Sequence, residues 1–161
     1  MQWFLIILLA AVIFAAAFYY QKKKIDQLAA EGKIIRRSGL FYEESEIFET
    51  SANYEDLRAI FSRLDLSEMK VTYYPDLEGS RTLLFKSGYA WNASLKDMGS
   101  KDGKNVLKFS FPAWDEKNGQ VHNINSMNMM VTQVEKAILS LDPNAMVENH
   151  KMQLKTKTKL F

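Results

Sequence analysis

The sequence predicts an α+β protein: a single N-terminal transmembrane helix, followed by one domain in which two helices cover an antiparallel sheet. Residues 3–20 contain no charged side chain, which is typical of a membrane-spanning helix. Several later segments alternate apolar and polar residues between turn residues, as strands with one buried face do. Two others carry apolar residues three and four positions apart, as amphipathic helices do. The predicted order after the first helix is β-α-β-β-β-β-α-β.

The apolar segment of residues 3–20 is expected to be an uncleaved membrane anchor that contacts the lipid bilayer. As a helix it would cover roughly 27 Å, close to a hydrocarbon core of roughly 30 Å. Trp3 lies near one end, and Tyr19 and Tyr20 lie at the other, where amphipathic rings favour the headgroup level. A cleaved signal is the alternative, because the alanines at 15–17 resemble a cleavage site. Against it, the chain has no basic n-region and no polar segment before these alanines.

Three lysines set the expected orientation of this anchor. Lys22, Lys23 and Lys24 follow the apolar segment directly, and basic flanks stay on the cytoplasmic side. We therefore expect a single-pass protein of the cell (inner) membrane, with its N-terminus outside and its domain in the cytoplasm. Signal cleavage would instead give an exported domain. Three lysines fall short of the cluster that binds a specific anionic lipid, so we interpret them as a topology signal.

Charge and composition divide the chain further. We expect residues 1–21 to form the anchor, 22–39 a basic juxtamembrane helix and tether, and 40–161 the soluble domain. Gly32 is expected to cap the end of the juxtamembrane helix. Residues 1–37 hold six Lys/Arg against two acidic residues, residues 38–150 hold eleven against seventeen, and residues 151–161 hold four lysines. The acidic centre argues against a nucleic-acid partner. The absence of cysteine excludes disulfides and thiolate chemistry.

The domain begins with a predicted strand that leads into a helix. "SEIFET" alternates, and Asn53 followed by Asp56 resembles a capping box. A helical stripe of apolar residues follows: Tyr54, Leu57, Ile60, Phe61 and Leu64. The acidic residues around the strand are interpreted as a solvated face: Glu43, Glu44, Glu46 and Glu49.

Four alternating segments then predict an antiparallel meander: "EMKVTYY", "RTLLFKS", "YAWNASLKDM" and "NVLKFSF". The third segment is expected to turn one set of side chains inward: Tyr89, Trp91, Ala93 and Leu95. Asp102 and Gly103 suit the positive φ angles of a tight hairpin between the third and fourth strands. A meander of this kind needs a cover on its apolar face.

The second amphipathic helix supplies that cover. Its apolar residues are spaced three and four apart: Ile124, Met127, Val131, Val134, Ile138 and Leu141. We expect Asn125 or Ser126 to cap its start and Pro143 to end it. A long alternating segment, "MVENHKMQLKTKTKLF", is expected to be the last strand.

The sequence contains no recognisable catalytic or cofactor-binding motif. His122 and His150 have no paired-ligand spacing and are interpreted as surface residues rather than metal ligands. The segment "GSKDGK" has too few residues between its glycines for a phosphate loop. We therefore expect no enzyme activity, no cofactor and no metal.

Two features remain as candidate contacts with a partner or with the membrane. Trp114 lies in "PAWDEKNG", interpreted as a polar loop, where the ring either anchors a partner or enters a bilayer interface, or instead caps the open end of the sheet. Lys155, Lys157 and Lys159 share one face of the last predicted strand. They either protect a sheet edge from pairing or attract an anionic leaflet.

The resulting expectation is a membrane-anchored, non-catalytic module that binds a protein partner or assembles into a complex. The alternative is a domain that binds a small ligand or lipid in an apolar cavity between the sheet and the second helix. Met127 and Met130 would line such a cavity, because methionine adapts to varied ligands.

Overall fold

The computed structural model describes residues 2–37, 39–75 and 79–152. It divides into two compact units, Met1–Arg36 and Arg37–Phe161. The first unit is built on one long helix. The second is an α+β domain with a six-stranded sheet, so the predicted fold class is confirmed.

The long helix α1 spans Gln2–Ala30, which is 29 residues. The helix continues past Lys22, Lys23 and Lys24 without interruption, as the sequence predicts. Its end is fixed by Gly32, which adopts a positive φ of 67°. The Gly32 N–H donates to the Ala29 carbonyl at 3.0 Å, and the Lys33 N–H donates to the Leu28 carbonyl at 2.9 Å. This pair of bonds is a Schellman motif, which satisfies carbonyls that the helix leaves free.

Among its described residues, the second unit contains eight strands and two helices. They are β1 Glu44–Thr50, α2 Tyr54–Phe61, β2 Thr72–Tyr74, β3 Thr82–Ser87, β4 Trp91–Lys101, β5 Lys104–Trp114, β6 Glu116–Lys117, β7 Gln120–Val121, α3 Ile124–Leu141 and β8 Met146–Lys151. Short 3-10 turns at Phe41–Glu43 and Ser67–Met69 precede β1 and β2. The order matches the prediction, with the additional small hairpin β6–β7.

The main sheet has the strand order β2-β3-β4-β5-β1-β8, and its neighbours are antiparallel. Strand β1 lies between β5 and β8. Both of its partners come from much later in the chain. The meander β2 to β5 arises from consecutive strands, whereas β1 and β8 are brought together by the fold.

The core lies between one face of this sheet and the helices α2 and α3. Its largest fully buried side chains come from both layers: Leu57, Phe61, Leu83, Phe85, Trp91, Leu95, Leu107, Phe109, Phe111, Met127, Met130 and Ile138. The alternating strand faces therefore supply the core as the sequence predicts. Burying each such side chain is worth about 1.5–3 kcal/mol.

Two tight hairpins use the same residue chemistry. Asp102 and Gly103 connect β4 to β5 with φ angles of 50° and 78°, as expected for a type I′ turn. Asn118 and Gly119 connect β6 to β7 with φ angles of 55° and 75°. The second hairpin replaces the loop expected around Trp114, since an Asn-Gly pair favours this turn as strongly as Asp-Gly does.

Helix α2 begins as the sequence predicts. The Asn53 side chain accepts the Asp56 N–H at 2.9 Å, which satisfies one free donor of the first turn. The helix ends at Phe61, so Leu64 of the predicted stripe lies beyond it.

The predicted start of α3 is wrong. The helix begins at Ile124, and Asn123 precedes it in the left-handed region without a side-chain cap. The Ser126 hydroxyl instead donates to the Met69 carbonyl at 2.8 Å. The central positions of the predicted stripe are buried, whereas Ile124 and Leu141 at its ends are partly exposed.

Two strand predictions are also corrected. The first half of "EMKVTYY" is a 3-10 turn followed by Lys70 in the left-handed region, so β2 has three residues only. Tyr89 lies in the turn before β4 and is fully exposed, because the strand begins two residues later at Trp91. Of the last predicted strand, Met146–Lys151 is present as β8.

Candidate functional site

Helix α1 carries the residues expected to flank a membrane. Trp3, Tyr19 and Tyr20 lie on one continuous helix and are exposed. The basic residues Lys22, Lys23 and Lys24 follow in the same helix. From Ile6 to Ala30 the helix is long and apolar enough to cross a membrane, and none of its apolar window is buried. A signal sequence would satisfy the same criteria.

Trp114 lies at the end of β5 rather than in a loop. Its ring is half-buried and packs edge-on against Tyr42, with ring centroids 5.3 Å apart. It also stands opposite Trp91 in the β4–β5 ladder. These contacts favour the interpretation in which the ring covers the end of the sheet. Contact of Trp114 with a partner stays a prediction.

The remaining candidate contacts are the lysines of the C-terminal segment. Lys155, Lys157 and Lys159 lie outside the described residues. Both of their predicted roles therefore stay predictions.

A buried ionic cluster that the sequence did not reveal lies where β1 meets α3. We call it the Arg37 cluster, and its members are Arg37, Glu46, Asn128, Thr132 and Glu135. Asn128, Thr132 and Glu135 lie on α3. They are four and three positions apart, so they share one face of the helix. Arg37 is the first residue of the second unit and reaches them across this face.

The Arg37 guanidinium forms bonds with both elements. It donates to the side-chain oxygens of Asn128 and Glu135, and to Thr132 Oγ1 at 3.0 Å. Its Nε lies 3.5 Å from Glu46 Oε1 on β1. One guanidinium thus contacts two carboxylates. The Arg37 side chain is only 9% exposed, so these contacts occur with little access of water.

The prediction that Glu46 belongs to a solvated strand face is wrong, because its side chain points to the helices. It is 9% exposed, and it shares the inward side of β1 with Phe48 and Thr50. Burial raises the pKa of Glu46 to about 7, the neighbouring Glu135 acts in the same direction, and Arg37 opposes both. A strongly shifted carboxyl is a feature of functional sites, although structural ion pairs also produce it.

The side of the sheet that faces away from α2 and α3 carries a second group of polar residues. Lys96 and Lys108 are direct neighbours in the β4–β5 ladder, and so are Ser94 and Ser110. The two hydroxyls lie 3.5 Å apart. Within residues 2–37, 39–75 and 79–152, neither lysine has a carboxylate at ion-pair distance. Like charges placed directly opposite destabilise a sheet. This lysine pair therefore stands out on a domain that is acidic overall.

The histidines lie apart from both groups. His122 Nδ1 lies 3.3 Å from Asp115, His150 Nε2 lies 3.2 Å from Glu148, and both rings are exposed. In the described part of the chain, no three His, Cys, Asp or Glu side chains are grouped to hold a metal ion.

Two open surface depressions lie along α2. The larger, of about 380 Å³, is lined by Glu55, Arg58, Ala59, Ser62, Tyr73 and Pro75. The smaller, of about 300 Å³, is lined by Ala59, Ile60, Arg63 and Leu64. Met127 and Met130, the expected lining of a ligand cavity, have no exposed surface. Neither of these depressions is therefore the cavity predicted between the sheet and α3.

Comparison with known proteins gives no significant match to a family model, to a curated protein or to a solved structure.

Proposed function

We propose that this protein is a single-pass membrane-anchored, non-catalytic module that binds a protein partner or assembles into a complex. The observation that carries the proposal is the exposure of apolar side chains on every side of α1. Phe4, Phe14 and Phe18 are each about 70–80% exposed. Because each large apolar side chain gains about 1.5–3 kcal/mol on leaving water, this helix favours hydrocarbon over water.

The orientation proposed for this anchor is N-terminus outside and domain in the cytoplasm, in a cell (inner) membrane. Its support is the position of Lys22, Lys23 and Lys24, directly after the apolar part of α1. Basic residues at a short flank are retained in the cytoplasm. A cleaved signal would remove the anchor and export the domain, and it is the competing proposal.

The binding half of the proposal is supported by the lysine pair on the sheet. Lys96 is exposed and Lys108 is half-buried, on the side of the sheet away from α2 and α3. Their mutual repulsion would be relieved by carboxylates of a partner placed between them. An acidic protein surface fits this face best. The alternative, a small-ligand or lipid-binding domain, has no comparable support, because Met127 and Met130 are fully packed.

In-cell crosslinking tests this proposal. The full chain carries a photo-crosslinking residue at position 82, directly opposite Lys96 in the β3–β4 ladder, and, after Phe161, a reporter active only in the cytoplasm. We expect an active reporter, retention in membranes washed at alkaline pH, and a crosslinked protein adduct at position 82. The adduct should disappear in Lys108→Glu, because the change replaces an attraction by a repulsion.

The matched control is the crosslinking residue at position 117, an exposed lysine on the separate hairpin β6–β7. It should give no adduct that depends on Lys108. An inactive reporter would overturn the orientation, and mature protein lacking residues 1–17 would overturn the anchor. The same adduct in the Lys108→Glu variant would overturn the binding face.

A further inference from the structure

The Arg37 cluster contains one more carboxylate than it has guanidinium groups. Glu46 and Glu135 both contact Arg37, and their side chains are 11% and 17% exposed. With both carboxylates ionised, the cluster would hold an uncompensated negative charge away from water. Such a charge is costly to bury, and the group that bears it takes up a proton instead.

The surroundings of Glu46 identify it as the group that holds this proton. Its Oε2 atom is buried and has no hydrogen-bond partner in the described part of the chain. Across the sheet, its neighbours are the uncharged Phe109 on β5 and Asn149 on β8. The other charged group that acts on it is Glu44, which also disfavours ionisation. Arg37 is therefore its only favourable charge among the described residues, and Arg37 is shared with Glu135.

We propose that the Arg37 cluster is a proton-controlled contact that fixes the start of the domain to β1 and α3 when Glu46 is protonated and releases it when Glu46 ionises. The released state lets Glu46 reach water. Arg37 then separates from at least one carboxylate. Because Arg37 itself makes the contacts with Glu46 and Glu135, the segment that is released includes residue 37. This inference does not depend on the membrane proposal.

The direction of the pH effect follows from proton linkage. Burial raises the pKa of Glu46 from 4.5 to about 7, so the folded cluster binds more protons than a hydrated Glu46 between these values. The stability that the closed cluster contributes is therefore fully present below pH 4.5 and is lost as the pH rises through 7. From pH 5.5 to pH 8, the population of any state with a hydrated Glu46 should increase roughly thirtyfold.

A second buried acid does not interfere in this pH range. Asp142 accepts hydrogen bonds from the Ser51 N–H at 2.7 Å, the Asn144 N–H at 3.0 Å and the Thr50 hydroxyl at 3.0 Å. The Ser51 bond is the largest cause that lowers the pKa of Asp142. Its contribution to stability is lost only as the pH falls below the usual range of an aspartate.

Amide hydrogen exchange of the full chain in detergent micelles tests the proposal. Opening equilibria are measured between pH 5.5 and 8 after correction for intrinsic exchange, at the amide of residue 37, on β1 and on the α3 turns that hold Asn128, Thr132 and Glu135. We expect opening to increase roughly thirtyfold in the wild type. It should be independent of pH in Glu46→Gln, because the amide has the same shape and does not titrate.

The control is Glu49→Gln, on the same strand but on the opposite side, where Glu49 pairs with Lys101 at 3.6 Å. It should keep the wild-type pH dependence. A change of less than threefold in the wild type, or an unchanged dependence in Glu46→Gln, overturns the proposal. If Glu46→Gln does not fold, the Glu46 carboxyl carbon is titrated by NMR in the wild-type chain. A midpoint below about pH 5.5 would then overturn it.

Discussion

Helices α1 and α3 are both rich in apolar residues, but α1 leaves them exposed whereas α3 buries most of them. Val12 on α1 is 60% exposed, whereas Val134 on α3 is 0% exposed. On α1, apolar residues surround the whole helix, so no single face can satisfy them within a small domain. On α3 most of them form one stripe, which the sheet covers. The distribution of apolar residues, rather than their amount, therefore decides which solvent a helix requires.

The polar side of α3 extends this difference. Asn128, Thr132 and Glu135 are withdrawn from water as well, because Arg37 reaches them. Helix α3 thus has an apolar contact with the sheet and a charged contact with the start of the domain. Helix α1 has no such pairing along its apolar part in the described residues.

The largest expected effect comes from one charge placed in each helix. Val134→Asp puts an unpaired carboxylate into the core and should cost more than about 4 kcal/mol, enough to remove most of the stability of a small domain. Val12→Asp should leave the thermal unfolding of the domain unchanged and weaken membrane retention. Circular dichroism melting and membrane fractionation measure the two effects. Leu139→Asp, on the exposed side of α3, is the control and should melt near the wild-type temperature.

A smaller effect is expected from truncating one isoleucine in each helix. Ile138 is fully buried, so Ile138→Ala should lower the free energy of unfolding by about 2–5 kcal/mol through lost contacts and a residual cavity. Ile13→Ala, on the exposed surface of α1, should leave that free energy unchanged. Urea unfolding in micelles measures both variants. Equal losses from the two substitutions would mean that α1 contributes to the domain core.

The smallest effect concerns the end of α1. Gly32 has a φ of 67°, which costs a residue with a side chain about 1–2 kcal/mol. Gly32→Ala should therefore increase amide exchange at the last turn of α1 and leave domain melting unchanged. Gly39→Ala is the control, because a Cβ there meets nothing within 4 Å. If exchange at Gly32→Ala matched the control, the Schellman motif would not be what ends this helix.

Features determined by neighbouring residues could be predicted from the sequence. The Asn53 cap, the turn at Asp102 and Gly103, and the buried stripe of α3 all depend on residues within a few positions of each other. The β6–β7 hairpin carries the same local signal at Asn118 and Gly119, but its strands have two residues each. Strands that short show no alternation that could be recognised.

The Arg37 cluster could not be predicted in the same way. Glu46 lies on a strand where each side has one large apolar residue, Ile47 on one and Phe48 on the other, so alternation does not tell which side is buried. Its partner Glu135 is far away in sequence, and Arg37 belongs to a basic segment that looks like a membrane flank. The position of these charges follows from packing rather than from local pattern.

The pairing of β1 with β8 also constrains how the domain is made. Glu44 pairs with Lys151, a contact between residues about a hundred positions apart. At a synthesis rate of roughly 5–20 residues per second, β1 waits roughly 5–20 s on the ribosome before its outer neighbour has been translated. During that time the edge of β1 that β8 will cover has no strand beside it. The nascent chain thus passes through an interval in which chaperones, or other nascent chains, compete with β8 for this edge.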